Sequence, residues 1–354
     1  MAELILGQLG WPDYRIRFTT SGTLAAMYAV MLAMAATGRD IILKAGGGWH
    51  GASPYLLKGV RFAPAAGFVE MDSAGVPAGW ERNILITAFN DQDDLERVFQ
   101  KEGGRIACLI LEPFLGVGGF LPASGAYLRL ARRLTQEYGA AFIADEVISG
   151  FRFGPSGLMT QHGIEPDLSI FGKVIGGGHA VAAVAGRKEI MEGCVKGRAA
   201  KSVQFQGGTF SAHPAYMQAG FRMLNYLSRQ AGAVYPRLAE LGEKLRRGVE
   251  DAFRREGLEV RCTGQAGAEI DGSSLFMVHF PKASVNFTRA EQVWDPGQCD
   301  VRMREEILKL ALLVEGVHVV HGGGAVSFAH ETRHIERTIQ AYAGAAKLLK
   351  EYRA

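Results

Sequence analysis

The sequence predicts an α/β protein with a mostly parallel central sheet and a smaller C-terminal α+β unit. Short apolar stretches alternate with helix-forming ones through much of the chain, and those stretches are too apolar to have a wet face. Past residue 230 the pattern changes to a charge-rich amphipathic helix followed by isolated strands. At 354 residues the chain exceeds what one hydrophobic core usually organises. We therefore expect residues 1–230 to form a large α/β domain and 231–354 a small α+β one.

The elements follow in order. Residues 23–36 are rich in Ala, Met and Leu, contain no breaker and follow Ser21-Gly22, which reads as a helix opened by a cap and a tight turn. Apolar strands are expected at 40–44, 83–87, 106–111, 141–144, 168–171 and 182–186. Helices fit between them at 93–102 and 124–138, the second stopped by Gly139, and a long one at 214–230. Beyond these, 235–256 reads as an amphipathic helix, 274–280 and 317–320 as strands, and 303–313 and 331–352 as helices.

Composition narrows the function. A net charge of +3 with no Lys/Arg block gives no basis for a nucleic-acid or membrane partner and points to a small molecule. Cys108, Cys194, Cys262 and Cys299 are far apart and lack zinc or CxxC spacing, so they read as reduced thiols of a cytoplasmic protein. The N-terminus has two acids and no basic stretch ahead of an apolar one, unlike a signal peptide.

Two segments carry the chemistry. Ala141-Phe142-Ile143-Ala144-Asp145-Glu146-Val147 puts two carboxylates at the carboxyl end of an apolar strand, the edge of an open α/β sheet where ligands bind. Alone, such acids are more often helix caps or surface turns. The second segment sets a lysine, Lys173, directly after an apolar strand and before Gly176-Gly177-Gly178. Framed by Ile170, Phe171, Val174 and Ile175, it is costly to bury unless chemically used, and burial lowers an amine toward nucleophilicity. A lysine and an acid on neighbouring strands are what pyridoxal phosphate needs: an amine to form a Schiff base and a carboxylate to keep the pyridine nitrogen protonated. Thr20-Ser21-Gly22-Thr23 at a helix start offers donors for a phosphate. Gly46-Gly47-Gly48-Trp49-His50-Gly51 places an aromatic ring for stacking on a flat heterocycle, or else a plug for the domain core. Gly207-Gly208-Thr209-Phe210-Ser211 is a third glycine-rich polar loop. The glycine run after Lys173 lacks the GxGxxG spacing of a dinucleotide site.

The order SGT, GGWHG, LEPFLGVGGFLP, ADEVISGFRFG, PDLSIFGKVIGGG and GGTFSAHP resembles the class III aminotransferases of fold type I, most closely the glutamate-1-semialdehyde aminomutases among them. The resemblance implies Lys173 as the Schiff-base lysine, Asp145 as the pyridine-nitrogen partner and Val147 as the apolar contact beneath the ring. It implies Ser21, Gly22 and Thr23 as the phosphate loop, Trp49 at the stacking position with His50 after it, and Gly208 and Thr209 reaching the phosphate of a neighbouring subunit. A homodimer with shared active sites follows, acting on an amino donor and a carbonyl acceptor. Departures accompany it: Leu24 follows SGT where the family pattern has Glu, Val117 stands where the family often has Asn, and no acid precedes the motif ending at His330. Family members also carry a long segment ahead of SGT, whereas this sequence reaches the motif near its start. A transferase, an intramolecular aminomutase and a racemase all remain open at this level, as does a protein that binds the cofactor without turnover.

Overall fold

The computed structural model describes residues 1–197, 202–205, 207–267, 269–270 and 272–353. A seven-stranded sheet organises the first part of the chain. Its strands are β1 (Tyr14–Thr19), β2 (Ile41–Ala45), β3 (Ile84–Thr87), β4 (Ile106–Leu111), β5 (Ala141–Glu146), β6 (Leu168–Phe171) and β7 (Ala182–Arg187). They lie side by side in the order β1, β7, β6, β5, β4, β2, β3. Strands β2 to β6 pair in parallel, while β7 runs antiparallel to both β6 and β1. Strand β1 therefore points the same way as β2 to β6, and six strands open their carboxyl ends onto one edge.

The alternation of side chains along these strands feeds two cores. Leu43, Leu109, Leu111, Phe142 and Ala144 pack on one face. There they meet the amphipathic helices α3 (Gln92–Glu102) and α4 (Gly125–Tyr138), capped by Asp91 and Ser124. Ile42, Cys108, Ile110, Ile143, Ile170 and Val184 pack on the other face against α2 (Gly22–Thr37), whose Ala-rich surface lets it lie close. A helix at Ala2–Leu9 (α1) and strand β1 were not anticipated; both join a core with Phe171, Ala183 and α5 (Pro214–Arg229).

The C-terminal part builds its own core around α6 (Ala231–Arg255) and α9 (Thr332–Arg353), defined with the intervening α7 (Ala290–Trp294) and α8 (Leu308–Val314). Its three-stranded sheet orders β8 (Arg261–Thr263), β9 (Leu275–His279) and β10 (Gly323–Ala325) antiparallel. The strand expected at 317–320 is a correction: Val320 makes only a bridge to Gly323, and the pairing falls on Gly323–Ala325. The backbone turns over at His321 and Gly322, both at positive φ, so the paired residues come after the apolar run. Helix α6 starts earlier than expected and carries Pro236 near its start. Among the described residues, no helix is long and apolar enough to cross a membrane.

Candidate active site

A cavity of about 280 Å³ opens at the carboxyl edge of the sheet. Its wall is assembled from the ends of separate strands: Ser21 to Thr23 after β1, Trp49 and His50 after β2, Glu112 after β4, Asp145 and Val147 at β5, and Lys173 after β6. The parallel sheet brings residues more than a hundred positions apart to one edge, where an open α/β sheet binds its ligands.

Lys173 sits in a left-handed backbone conformation, φ 44°, which is uncommon for a residue with a Cβ. Its side chain lines the cavity, and the residue is exposed rather than packed among Ile170, Phe171, Val174 and Ile175 as the sequence suggested. The correction leaves the chemistry intact: neighbouring bulk still lowers the amine below the usual lysine range, Asp145 and Glu112 oppose that shift, and Arg152 adds to it.

Asp145 is buried and receives the His50 imidazole, Nδ1 to Oδ2 at 2.8 Å. Its other oxygen accepts the Val147 N–H at 3.1 Å. Burial holds His50 below the ordinary histidine range despite Asp145, so the ring is neutral and donates its Nδ1–H. Val147 lines the cavity, and a Cβ placed on Gly22 would come within 2.9 Å of its Cγ2, so a glycine lets the start of α2 approach that side chain. Ser21 spends its hydroxyl as the cap of α2, accepting from the Leu24 N–H at 3.3 Å. Gly51, at φ 88°, brings the other loop against Thr23. Trp49 is 39% exposed on the cavity wall and does not plug the core.

Two residues beside the cavity escaped the sequence reading. Glu112 is buried, with Oε1 accepting from Trp49 N–H and Oε2 from Gly116 N–H, each at 2.9 Å. Burial, with Asp145 adding, raises its carboxyl to about 8. Lys44 lies wholly inside and gives its ammonium to the carbonyls of Gly48, Leu56 and Lys58. The only signal for either was a charged residue at the carboxyl end of an apolar strand. Glu146, read as a companion acid, instead turns inward and caps the segment at Leu158 and Met159. Gly208 and Thr209 do not line this cavity, and Thr209 is exposed.

Residues 1–275 match the model of the family described as aminotransferase class-III. A glutamate-1-semialdehyde 2,1-aminomutase of Methanothermobacter thermautotrophicus is 36% identical over 352 residues, covering 96% of this chain and 76% of that protein. A solved transaminase with PLP bound superposes with a TM-score of 0.84 at 30% identity, over 100% of this chain and 78% of the other. The omega-transaminase from Sphaerobacter thermophilus gives 0.83 at 30% identity, over 98% and 76%.

Proposed function

Because the chain belongs to the class-III aminotransferase family, we propose that it is a pyridoxal-phosphate enzyme moving an amino group between an amino acid or amine and a carbonyl acceptor, with Lys173 as the covalent anchor of the cofactor. The observation that carries the reading is one cavity holding the Lys173 amine, the buried Asp145 carboxylate and the glycine-tight start of α2.

The residues present fit the group. Gly22 keeps the Val147 floor flat where a Cβ would fill it, the first turn of α2 offers N–H groups for a phosphate, and Asp145 offers a carboxylate for a pyridinium. When bound, pyridoxal phosphate supplies an electron sink for the charge left at the substrate Cα. The protein does the rest. Asp145 would hold a proton at the pyridine nitrogen, with His50 keeping the carboxylate oriented. Lys173 Nζ would be the base placed to move a proton at the substrate Cα. Trp49, on the cavity wall, would stack on a flat heterocycle and limit water.

Gly208 and Thr209 serve the phosphate of a second copy in this reading, which makes the protein a homodimer; their position outside the chain's own cavity supports it. We read the chain as two domains divided near residue 230, and as cytoplasmic. The similarity to aminomutases keeps an intramolecular transfer as the second reading. An absorbance spectrum read together with product analysis separates them. A visible imine band that shifts with an external amino donor and releases a keto product supports the transferase, and a product that keeps its own nitrogen supports the mutase. A protein with no imine band overturns both.

A further inference from the structure

A buried polar chain runs from the small sheet to the wall of the cavity. Arg304 is fully buried at the centre of the small unit, its guanidinium stacked over Trp294 at 4.2 Å from the ring centre. Its Nη1 lies 2.7 Å from His279 Nδ1. His279 Nε2 lies 2.7 Å from Thr263 Oγ1, which is 2.6 Å from the carbonyl oxygen of Gly119. An arginine has no acceptor, so the direction of every bond is fixed. Arg304 donates to Nδ1, His279 therefore carries its hydrogen on Nε2 and donates to Thr263, and the threonine hydroxyl is left free to donate to Gly119. Burial and the neighbouring Arg304 both hold His279 well below the usual histidine range, which keeps this one tautomer in place.

The carbonyl at the end of the chain belongs to the turn at 116–119, and that turn touches the cavity wall twice. Gly116 N–H and Trp49 N–H are held by the two oxygens of the same Glu112 carboxyl. A Cβ on Gly118 would stand 2.9 Å from the Gly47 carbonyl, so turn and loop are already in backbone contact. On its far side the turn rests on α7, where a Cβ on Gly119 would meet Val293 at 3.0 Å.

We propose that Thr263 is a positioning residue for the cofactor pocket: its hydroxyl, oriented by His279 and Arg304, fixes the 116–119 turn, and through Glu112 that turn fixes Trp49. The small sheet thereby sets the aromatic wall of a site to which it contributes no side chain. This rests on the reading of the cavity as the cofactor site, but the test needs no turnover. Amide hydrogen exchange is followed on the full chain for peptides covering 46–50 and 115–119, with a peptide from 106–111 as internal reference. Thr263→Val keeps the shape and removes the hydroxyl, whereas Thr263→Ser keeps the hydroxyl. Losing one buried hydrogen bond is expected to speed exchange of both wall peptides about fivefold in the valine variant and leave the serine variant unchanged. Thr263→Ala, which introduces no new bulk, is expected to match valine. The proposal fails if the 46–50 peptide is unmoved in the valine and alanine variants, or if serine is as damaging as valine. It fails too if neither valine nor alanine folds, because the bond would then determine the fold and not the wall. Failure here with borohydride still tagging Lys173 would spare the assignment of the site; absence of that tag would be the failure of the site itself.

Discussion

The imidazole of His50 donates its Nδ1–H to Asp145 across 2.8 Å of buried space, joining the loop after β2 to the end of β5. The bond leaves Asp145 with its charge and a fixed orientation, because a neutral ring directs the carboxylate without neutralising it. Replacing Asp145 with Asn keeps the size of the group and removes that charge. Turnover is expected to fall at least about a hundredfold with the fold intact, since the pyridine nitrogen would no longer be held protonated. Steady-state rates beside circular dichroism check this, and near wild-type rates would remove Asp145 from the site.

Lys173→Ala and Lys173→Arg are each expected to abolish the visible imine band and activity. Borohydride reduction of the wild-type protein should tag a single peptide, the one containing Lys173. The informative competitor is Lys44, whose amine is also lowered, to about 8, but whose ammonium is engaged by three carbonyls and has no opening to the cavity. A label on Lys44 would overturn the assignment.

Lys44 carries its own prediction. Removing the ammonium in Lys44→Met leaves the Gly48, Leu56 and Lys58 carbonyls without that donor and is expected to cost about 3 kcal/mol at neutral pH. Burial lowers the group from 10.5 to about 8, with Asp72 and Glu112 pulling the other way. Across that interval the unfolded chain holds a proton the folded chain has released, so stability from this site rises with pH from about 8 to 10.5. The advantage of wild type over the variant should therefore widen through that window, as read by urea midpoints on either side of it.

Gly22→Ala places a methyl 2.9 Å from Val147 Cγ2, and the helix start and floor must part to admit it. Affinity for pyridoxal phosphate is expected to fall about tenfold, the effect of a modest overpacking strain. Fluorescence titration with the cofactor measures it, and unchanged affinity would mean that Val147 does not form the floor.

Shared sites predict complementation. Co-expressed Lys173→Ala and Thr209→Ala chains should give mixed dimers with one intact site, and activity above either parent. If each chain completes its own site, every site keeps a lesion and mixing restores nothing.

Most of the central sheet was readable because β2, β4, β5 and β6 are buried along their whole length and mostly apolar, and Lys173 and Asp145 stood out against that background. Strand β1 was not, because its residues alternate as Tyr14, Arg15, Ile16, Arg17 and Phe18 at a sheet edge, with both arginines turned to solvent. Glu112 and Lys44 were passed over for another reason. A charge at the end of an apolar strand reads as the point where the strand meets water, and what keeps these two inside is hydrogen bonding to the backbone of the loop that follows each strand and, for Glu112, to Trp49 in another loop. The exposure of Lys173 goes with a left-handed backbone at that residue, which residue type does not encode.

The place of β1 has a consequence for the order in which the molecule is made. Among the described residues its one partner in the sheet is β7, which is synthesised some 160 residues later. Until then the turn at 20–23 has a helix behind it but no strand to fix its height against β5 and β6. Closing so long a loop is slow compared with forming a local hairpin. The nascent chain thus passes through a stage in which β2 to β6 can already pair while the turn at 20–23 is still unanchored, so on the proposed reading of that turn as the phosphate loop cofactor capture belongs among the last events of folding.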